Sequence, residues 1–154
     1  SSSKSNVITV NNDFALDVDF KDIKLNHFVS GSKFQLDLTI KGKIEVDDAI
    51  VLLCINSLYE ERIVNLSSRL SKIKITRFNK KLQCSVRVAD LSLMPNTYSI
   101  TCKLLISSGQ IIANWEHIAE LQVVEDKFLV GLSLPDSRDR GFYNARMSWD
   151  VLSH

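Results

Sequence analysis

Residues Pro95–Asp126 read PNTYSITCKLLISSGQIIANWEHIAELQVVED. Tyr98, Ile100, Cys102, Leu104 and Ile106 alternate with Ser99, Thr101 and Lys103. That two-residue period is the mark of a strand with one face in a core and the other in water. Ser107-Ser108-Gly109 has turn composition, and Ile111 to Trp115 runs back. Ala119, Leu121 and Val123 then resume the alternation. The stretch predicts a hairpin at the centre of an antiparallel β-sandwich. Its polar face, edged by Trp115 and His117, is the first place to look for a ligand.

Working outward, similar patterns recur. Phe14, Leu16, Val18 and Phe20 share one parity, with Asp13, Asp17, Asp19 and Lys21 off it. Phe34, Leu36, Leu38 and Ile40 follow a Ser30-Gly31-Ser32 turn in the clearest strand of the chain. Ile50 to Ile55 is apolar on both faces, as a central strand is. Arg62 to Leu66 reads as a short return strand. Lys72 to Phe78 and Leu82 to Val88 flank Asn79-Lys80-Lys81 and predict a second hairpin. Ala89 to Met94 reads as a helical turn or an irregular crossover, and Lys127 to Leu134 as a short strand. Pro135 to Asn144 is a charged loop, and Ala145 to Leu152 a closing strand. No helical period is sustained, and turns recur at the spacing of an all-β sandwich of jelly-roll or immunoglobulin-like form. Residues 1–12 read as a flexible linker or an edge strand, and 13–154 as one domain.

The totals agree with this picture. A chain of 154 residues suits a single domain. Its hydrophobic share is 45% and its charged share 24%, ordinary for a globular fold. A net charge of +1 offers no field for nucleic acid or an anionic membrane. No apolar run has the length of a membrane span, and no signal peptide is visible. Cys54, Cys84 and Cys102 are odd in number and sit on apolar parities, so they read as buried thiols rather than a disulfide framework or a metal site. Such thiols suit a reducing compartment, the cytoplasm.

The search for reactive chemistry returns little. There is no GxSxG, Walker, HExxH or GxGxxG motif. His27, His117 and His154 lie far apart in sequence. Glu116 and Glu120 offer two carboxylates for glycoside hydrolysis, but acids on a wet sheet face need no such role. The Asp13–Asp19 cluster lacks the Gly-hinged loop that wraps calcium. No catalytic residue, cofactor or metal is therefore expected. What remains is binding: Gln83, Ser85 and Arg87 on one strand and Ser99, Thr101 and Lys103 on what reads as its neighbour, extended by Glu120 and Gln122. Amide, hydroxyl and charged groups on one face suit sugar hydroxyls, and Trp115 and Tyr143 are the aromatic candidates for stacking on a pyranose.

Those residues carry a resemblance to the C-terminal carbohydrate-binding domain of Wzt, the nucleotide-binding subunit of O-antigen polysaccharide ABC transporters. It runs from about Phe20 to Val151. The strand Phe34–Ile40 after a Gly turn is similar, as is Ile50–Leu58 with its polar turn and apolar return. Leu91-Ser92-Leu93-Met94-Pro95-Asn96-Thr97-Tyr98 resembles the L-x-L-x-x-G-x-Y step, with Asn96 in place of Gly. Asn114-Trp115, Ala119–Val123, the loop from Gly131 to Gly141, and Met147-Ser148-Trp149 follow in the family order. The resemblance implies a non-catalytic module that binds the non-reducing end, capped or uncapped, of an O-antigen chain for export. It implies an ATPase domain upstream, through which the chain would meet the transporter's membrane subunit. It also implies a homodimer with strand 145–152 exchanged, and a cytoplasmic position peripheral to the inner membrane. The alternative is a structural or protein-interaction sandwich without a sugar ligand.

Overall fold

The computed structural model describes residues 6–11, 13–59, 61–68, 75–78, 80–125 and 147–153. The described chain is all β, in eleven strands: β1 (Asn6–Asn11), β2 (Phe14–Phe20), β3 (Phe28–Val29), β4 (Ser32–Gly42), β5 (Val46–Ser57), β6 (Arg62–Ser67), β7 (Ile75–Phe78), β8 (Lys81–Leu91), β9 (Asn96–Ile106), β10 (Ile111–Val124) and β11 (Met147–Ser153). They form a five-stranded sheet, β1-β2-β4-β8-β11, and a six-stranded sheet, β3-β10-β9-β5-β6, in which β7 also pairs with β5. The pairings are antiparallel except that of β3 with β10, which is parallel.

The inward faces follow from alternation. In the five-stranded sheet the register sets Leu16 opposite Ile40 and Ile40 opposite Leu82, then Val18 opposite Leu38 and Leu38 opposite Cys84. Apolar side chains thus lie in rows across the sheet, all buried. The six-stranded sheet answers with Val51, Leu53 and Ile55 of β5, Tyr98, Ile100, Cys102 and Leu104 of β9, and Ala113, Trp115, Leu121 and Val123 of β10. Each fully buried Leu or Ile contributes on the order of 1.5–3 kcal/mol. Phe34 anchors one end, its ring 6.1 Å edge-on from both Phe20 and Phe28.

The β9–β10 hairpin forms as its sequence predicts, with Gly109 at φ 91° in the turn, a backbone angle that favours glycine. Two irregularities interrupt it: one extra residue of β10 between Ile111 and Ala113, and a wider bulge between Trp115 and Ala119. Trp115 pairs with Cys102 and Ala119 with Ile100, so three residues of β10 stand opposite Thr101 alone. His117 takes φ 54°, in the left-handed region, within this bulge. Two extra residues keep the parity, so Ala119, Leu121 and Val123 return to the inner face while Glu116 and His117 both stay exposed.

Several local expectations are corrected. Lys72–Phe78 and Leu82–Val88 do not make a hairpin: β7 joins β5 in one sheet, and β8 joins β4 and β11 in the other. Of the two readings of Ala89–Met94 the crossover holds and the helical turn does not: β8 continues to Leu91, and the chain then crosses between sheets. As a result β8 and β9 are not neighbours. Asn96, where the resembled step has Gly, opens β9 without a left-handed backbone, its Oδ1 accepting from the Thr97 N–H at 2.8 Å. Trp115 is not at the edge of a polar face but wholly buried. The strand predicted at Lys127–Leu134, the loop Pro135–Asn144 with Tyr143, and His154 lie outside the described residues.

Near the crossing, residues 30 and 31 bond to both sheets. The Ser30 N–H donates to the Val124 carbonyl at 3.0 Å, and the Gly31 N–H to the Leu91 carbonyl at 2.9 Å. The buried Ser30 hydroxyl donates to the Leu93 carbonyl at 2.7 Å and accepts from the Leu93 N–H at 3.0 Å. Tyr98 likewise donates its phenol proton to the Met94 carbonyl at 2.6 Å.

All three cysteines are free and buried. Burial pushes the Cys84 thiol up to about 12. Burial raises Cys102 as well, followed by charge repulsion from Cys84 and Cys54. A raised folded-state value means that the unfolded chain loses its thiol protons first. Stability from this source is therefore complete below an unfolded thiol value of about 8.5 and falls as pH rises through 9 toward 12. The fall is at most about 1.4 kcal/mol per pH unit for each thiol. Urea midpoints measured between pH 8 and 11 are expected to decline, and Cys84→Ala to decline less over the same range. Trp115→Ala is expected to lower stability by about 3–5 kcal/mol in urea unfolding, because it empties a large, fully buried site.

Candidate functional site

The two outer faces are the surfaces that carry polar side chains in register. On the six-stranded sheet, Glu120 of β10 pairs with Ser99 of β9, Ser99 with Asn56 of β5, and Asn56 with Arg62 of β6. The next row places Thr101 opposite Cys54 and Cys54 opposite Asn65. A third holds Asn114, Lys103, Leu52 and Ser67. Ser99 and Thr101, though on an outer face, are 5% and 7% exposed, so they form a floor beneath longer neighbours. Asn56 Nδ2 donates to Thr101 Oγ1 at 3.2 Å. Burial raises the Cys54 thiol, and the nearby Arg62 and Lys103 cations pull it the other way. At the bulge, Asn114 Nδ2 donates to Glu116 Oε1 at 3.3 Å, while Asn114 Oδ1 and Asn65 Oδ1 are buried without a hydrogen-bond partner.

The five-stranded face has a different character. Asp19 pairs with Asp37, Asp37 with Ser85, and Ser85 with Asp150. Beside this row, Asp17 pairs with Thr39 and Thr39 with Gln83; on its other side, Gln35 pairs with Arg87. The Ser85 hydroxyl donates to Asp37 Oδ1 at 2.7 Å. Arg87 donates to Asp150 Oδ2 at 2.6 Å. Lys21 donates to Asp19 Oδ2 at 2.6 Å and stands 3.8 Å from Asp37 Oδ2, and its pKa is raised first by the Asp19 hydrogen bond. Between β4, β8 and β11 lies an open groove of about 310 Å³, with Asp37, Thr39, Gln83, Ser85 and Asp150 as its polar lining.

The sequence candidates therefore divide. Thr101, Lys103, Glu120 and Gln122 share the six-stranded face. Gln83 and Arg87 belong to the opposite face, because β8 and β9 sit in different sheets. Trp115, in the core, offers no ring to a ligand on either face. Tyr143 is outside the described residues. Asp37 and Asp150, which line the groove, were not singled out; their alternation was visible in the sequence, but pairing with Ser85 depends on which strands meet. Glu116 and Glu120 are both exposed on β10. Among the described residues no group of three or more His, Cys, Asp or Glu side chains is placed to hold a metal ion. No helix among them is long and apolar enough to cross a membrane.

No family model and no curated protein matches the sequence. Solved structures do match. A Niemann-Pick type C2 protein from Japanese carpenter ant superposes with a TM-score of 0.49 at 8% identity, over 80% of this chain and 94% of its own. The C-terminal domain of Wzt superposes with a TM-score of 0.60 at 9% identity, over 81% of this chain and 80% of that one. At this identity the likeness is one of fold, and the chain is a β-sandwich of the same architecture as the C-terminal domain of Wzt.

Proposed function

We propose that the chain is a non-catalytic carbohydrate-binding domain that recognises the non-reducing end, capped or uncapped, of an O-antigen polysaccharide for export by an ABC transporter. The observation that carries this reading is the match to the C-terminal domain of Wzt over four-fifths of both chains, the same family that the order of sequence motifs resembles. The polar faces fit the role. Their side chains project from paired strands, so little ordering is needed when a ligand arrives. On the six-stranded face Thr101, Lys103, Glu120 and Gln122 are the candidate contacts, with Gln83 and Arg87 on the other; Tyr143 stays a candidate from sequence. In this reading residues 13–154 form the ligand-binding unit. An upstream ATPase domain links it to the membrane subunit at the cytoplasmic side of the inner membrane, and a homodimer exchanges strand 145–152.

A second reading, a protein-interaction sandwich, has one observation in its favour. Leu58 and Tyr59, in the β5–β6 turn, are 59% and 90% exposed, and Met94, in the β8–β9 crossing, is 41% exposed. Ser57 pairs with Tyr98, so these residues gather at one end of the sandwich.

Calorimetric titration with the polysaccharide of the encoding organism, intact and with its terminal cap removed, separates the two. Binding of the intact chain is expected, and binding of neither form overturns the carbohydrate reading. Equal binding of both forms restricts recognition to sugar units rather than the cap. No hydrolysis is expected; turnover abolished by Glu116→Gln or Glu120→Gln would make the domain an enzyme.

A further inference from the structure

The groove on the five-stranded sheet has a lining whose chemistry favours one class of ligand. Ser85 is short and lies on the central strand of three. Asp37 of β4 and Asp150 of β11 stand on either side of it in the same row. A small side chain between two longer ones leaves a trough. Gln83 and Thr39, paired in the next row, extend it along the strands. Leu38 and Cys84 also line it, but their side chains are buried in the core, so they offer main chain as a floor. At about 310 Å³ the space is at the lower end of the ~300–1,000 Å³ typical of small-molecule sites.

The polar groups are biased toward acceptors. The Ser85 proton is given to Asp37 Oδ1, so the Ser85 oxygen keeps its lone pairs for a donor. An ionised carboxylate has about four acceptor positions, and the hydrogen bonds shown occupy few of those on Asp37 and Asp150. Gln83 can both donate and accept. Two cations beside the aspartate row are engaged: Arg87 by Asp150 at 2.6 Å, and Lys21 by Asp19 at 2.6 Å with Asp37 at 3.8 Å; Lys41 and Lys81 face each other one row beyond Thr39 and Gln83, outside the lining. An anionic ligand would meet Asp37 and Asp150 across the trough, with Asp19 in the same row and no cation among the described residues that line it. A neutral sugar brings hydroxyl donors to the same carboxylates.

The geometry points to this groove as a saccharide subsite selective for neutral, hydroxyl-rich units, with Asp37, Ser85, Gln83 and Asp150 as its hydrogen-bonding groups. It rests on the carbohydrate reading above and adds the face, the residues and the charge class.

The test uses the polysaccharide of the encoding organism in native form and in a carboxyl-reduced, phosphate-free form, each titrated into ¹⁵N-labelled protein. The neutral form is expected to shift the amides of Thr39, Gln83, Ser85 and Asp150. Asp37→Asn, which keeps size but replaces acceptors, and Ser85→Tyr, which fills the trough at an outward position, are each expected to weaken binding about tenfold or more. Lys24→Ala and Glu125→Ala, exposed positions away from the groove lining and the candidate contacts, are expected to leave it within about twofold. Shifts confined to Thr101, Lys103 and Gln122, or affinity unchanged in both groove variants, would overturn the subsite while leaving the carbohydrate reading intact. Tighter binding of an acidic native form than of its neutralised form would overturn the selectivity. Failure of both forms to bind would overturn the carbohydrate reading itself, and the subsite with it.

Discussion

Two apolar sheet faces pressed together are the constraint on which everything else depends. Neither face is stable in water alone, and each is apolar only because its strands keep the same parity in register. Leu38 can oppose Cys84 in the ladder only if Thr39 opposes Gln83 on the other side. A slip of one residue in β4 would carry Phe34, Leu36, Leu38 and Ile40 to water and bring Asp37 into the core. The polar outer surfaces are thus a by-product of the same register that builds the interior. This is why the candidate contacts come as rows of side chains rather than as a cluster on one loop.

Alternation made much of the fold legible. The inward residues of β2, β4, β8 and β9 were readable from composition by position, and so were the turns at Gly31 and Gly109. The same signal explains the buried thiols. Even the interruption in β10 left a trace, since Trp115 and Ala119 keep one parity across the residues between them. What the sequence did not carry was the bulge itself, because an insertion of two residues leaves the period unchanged.

Pairing was less legible than burial, for a physical reason. A two-residue period states which way a side chain faces but not which strand lies beside it. Consecutive strands invite a hairpin, and the alternation of β7 and β8 predicts one; the chain instead changes sheets between them. The same happens between β8 and β9. The set of Gln83, Arg87, Thr101 and Lys103, continuous on paper, was divided between opposite sides of the domain by that one crossing. Trp115 was misplaced by a different bias. Its position beside polar residues drew attention, while its parity with Ala113 assigned it to the core.

The peptide groups of Ser30 and Gly31 end with a consequence for how the sandwich can deform. Packed hydrocarbon resists separation, but it is tolerant of sliding, since one methyl contact is much like the next. Hydrogen bonds of fixed length and direction are not. Ser30 and Gly31 bond to the end of β10 in one sheet and the end of β8 in the other, and the Ser30 hydroxyl ties in Leu93 on the strap between them. They act as a shear pin at that end. Relative motion of the two sheets is then a pivot about this corner, with the widest excursion at the far end, where β4 turns into β5 and β9 into β10.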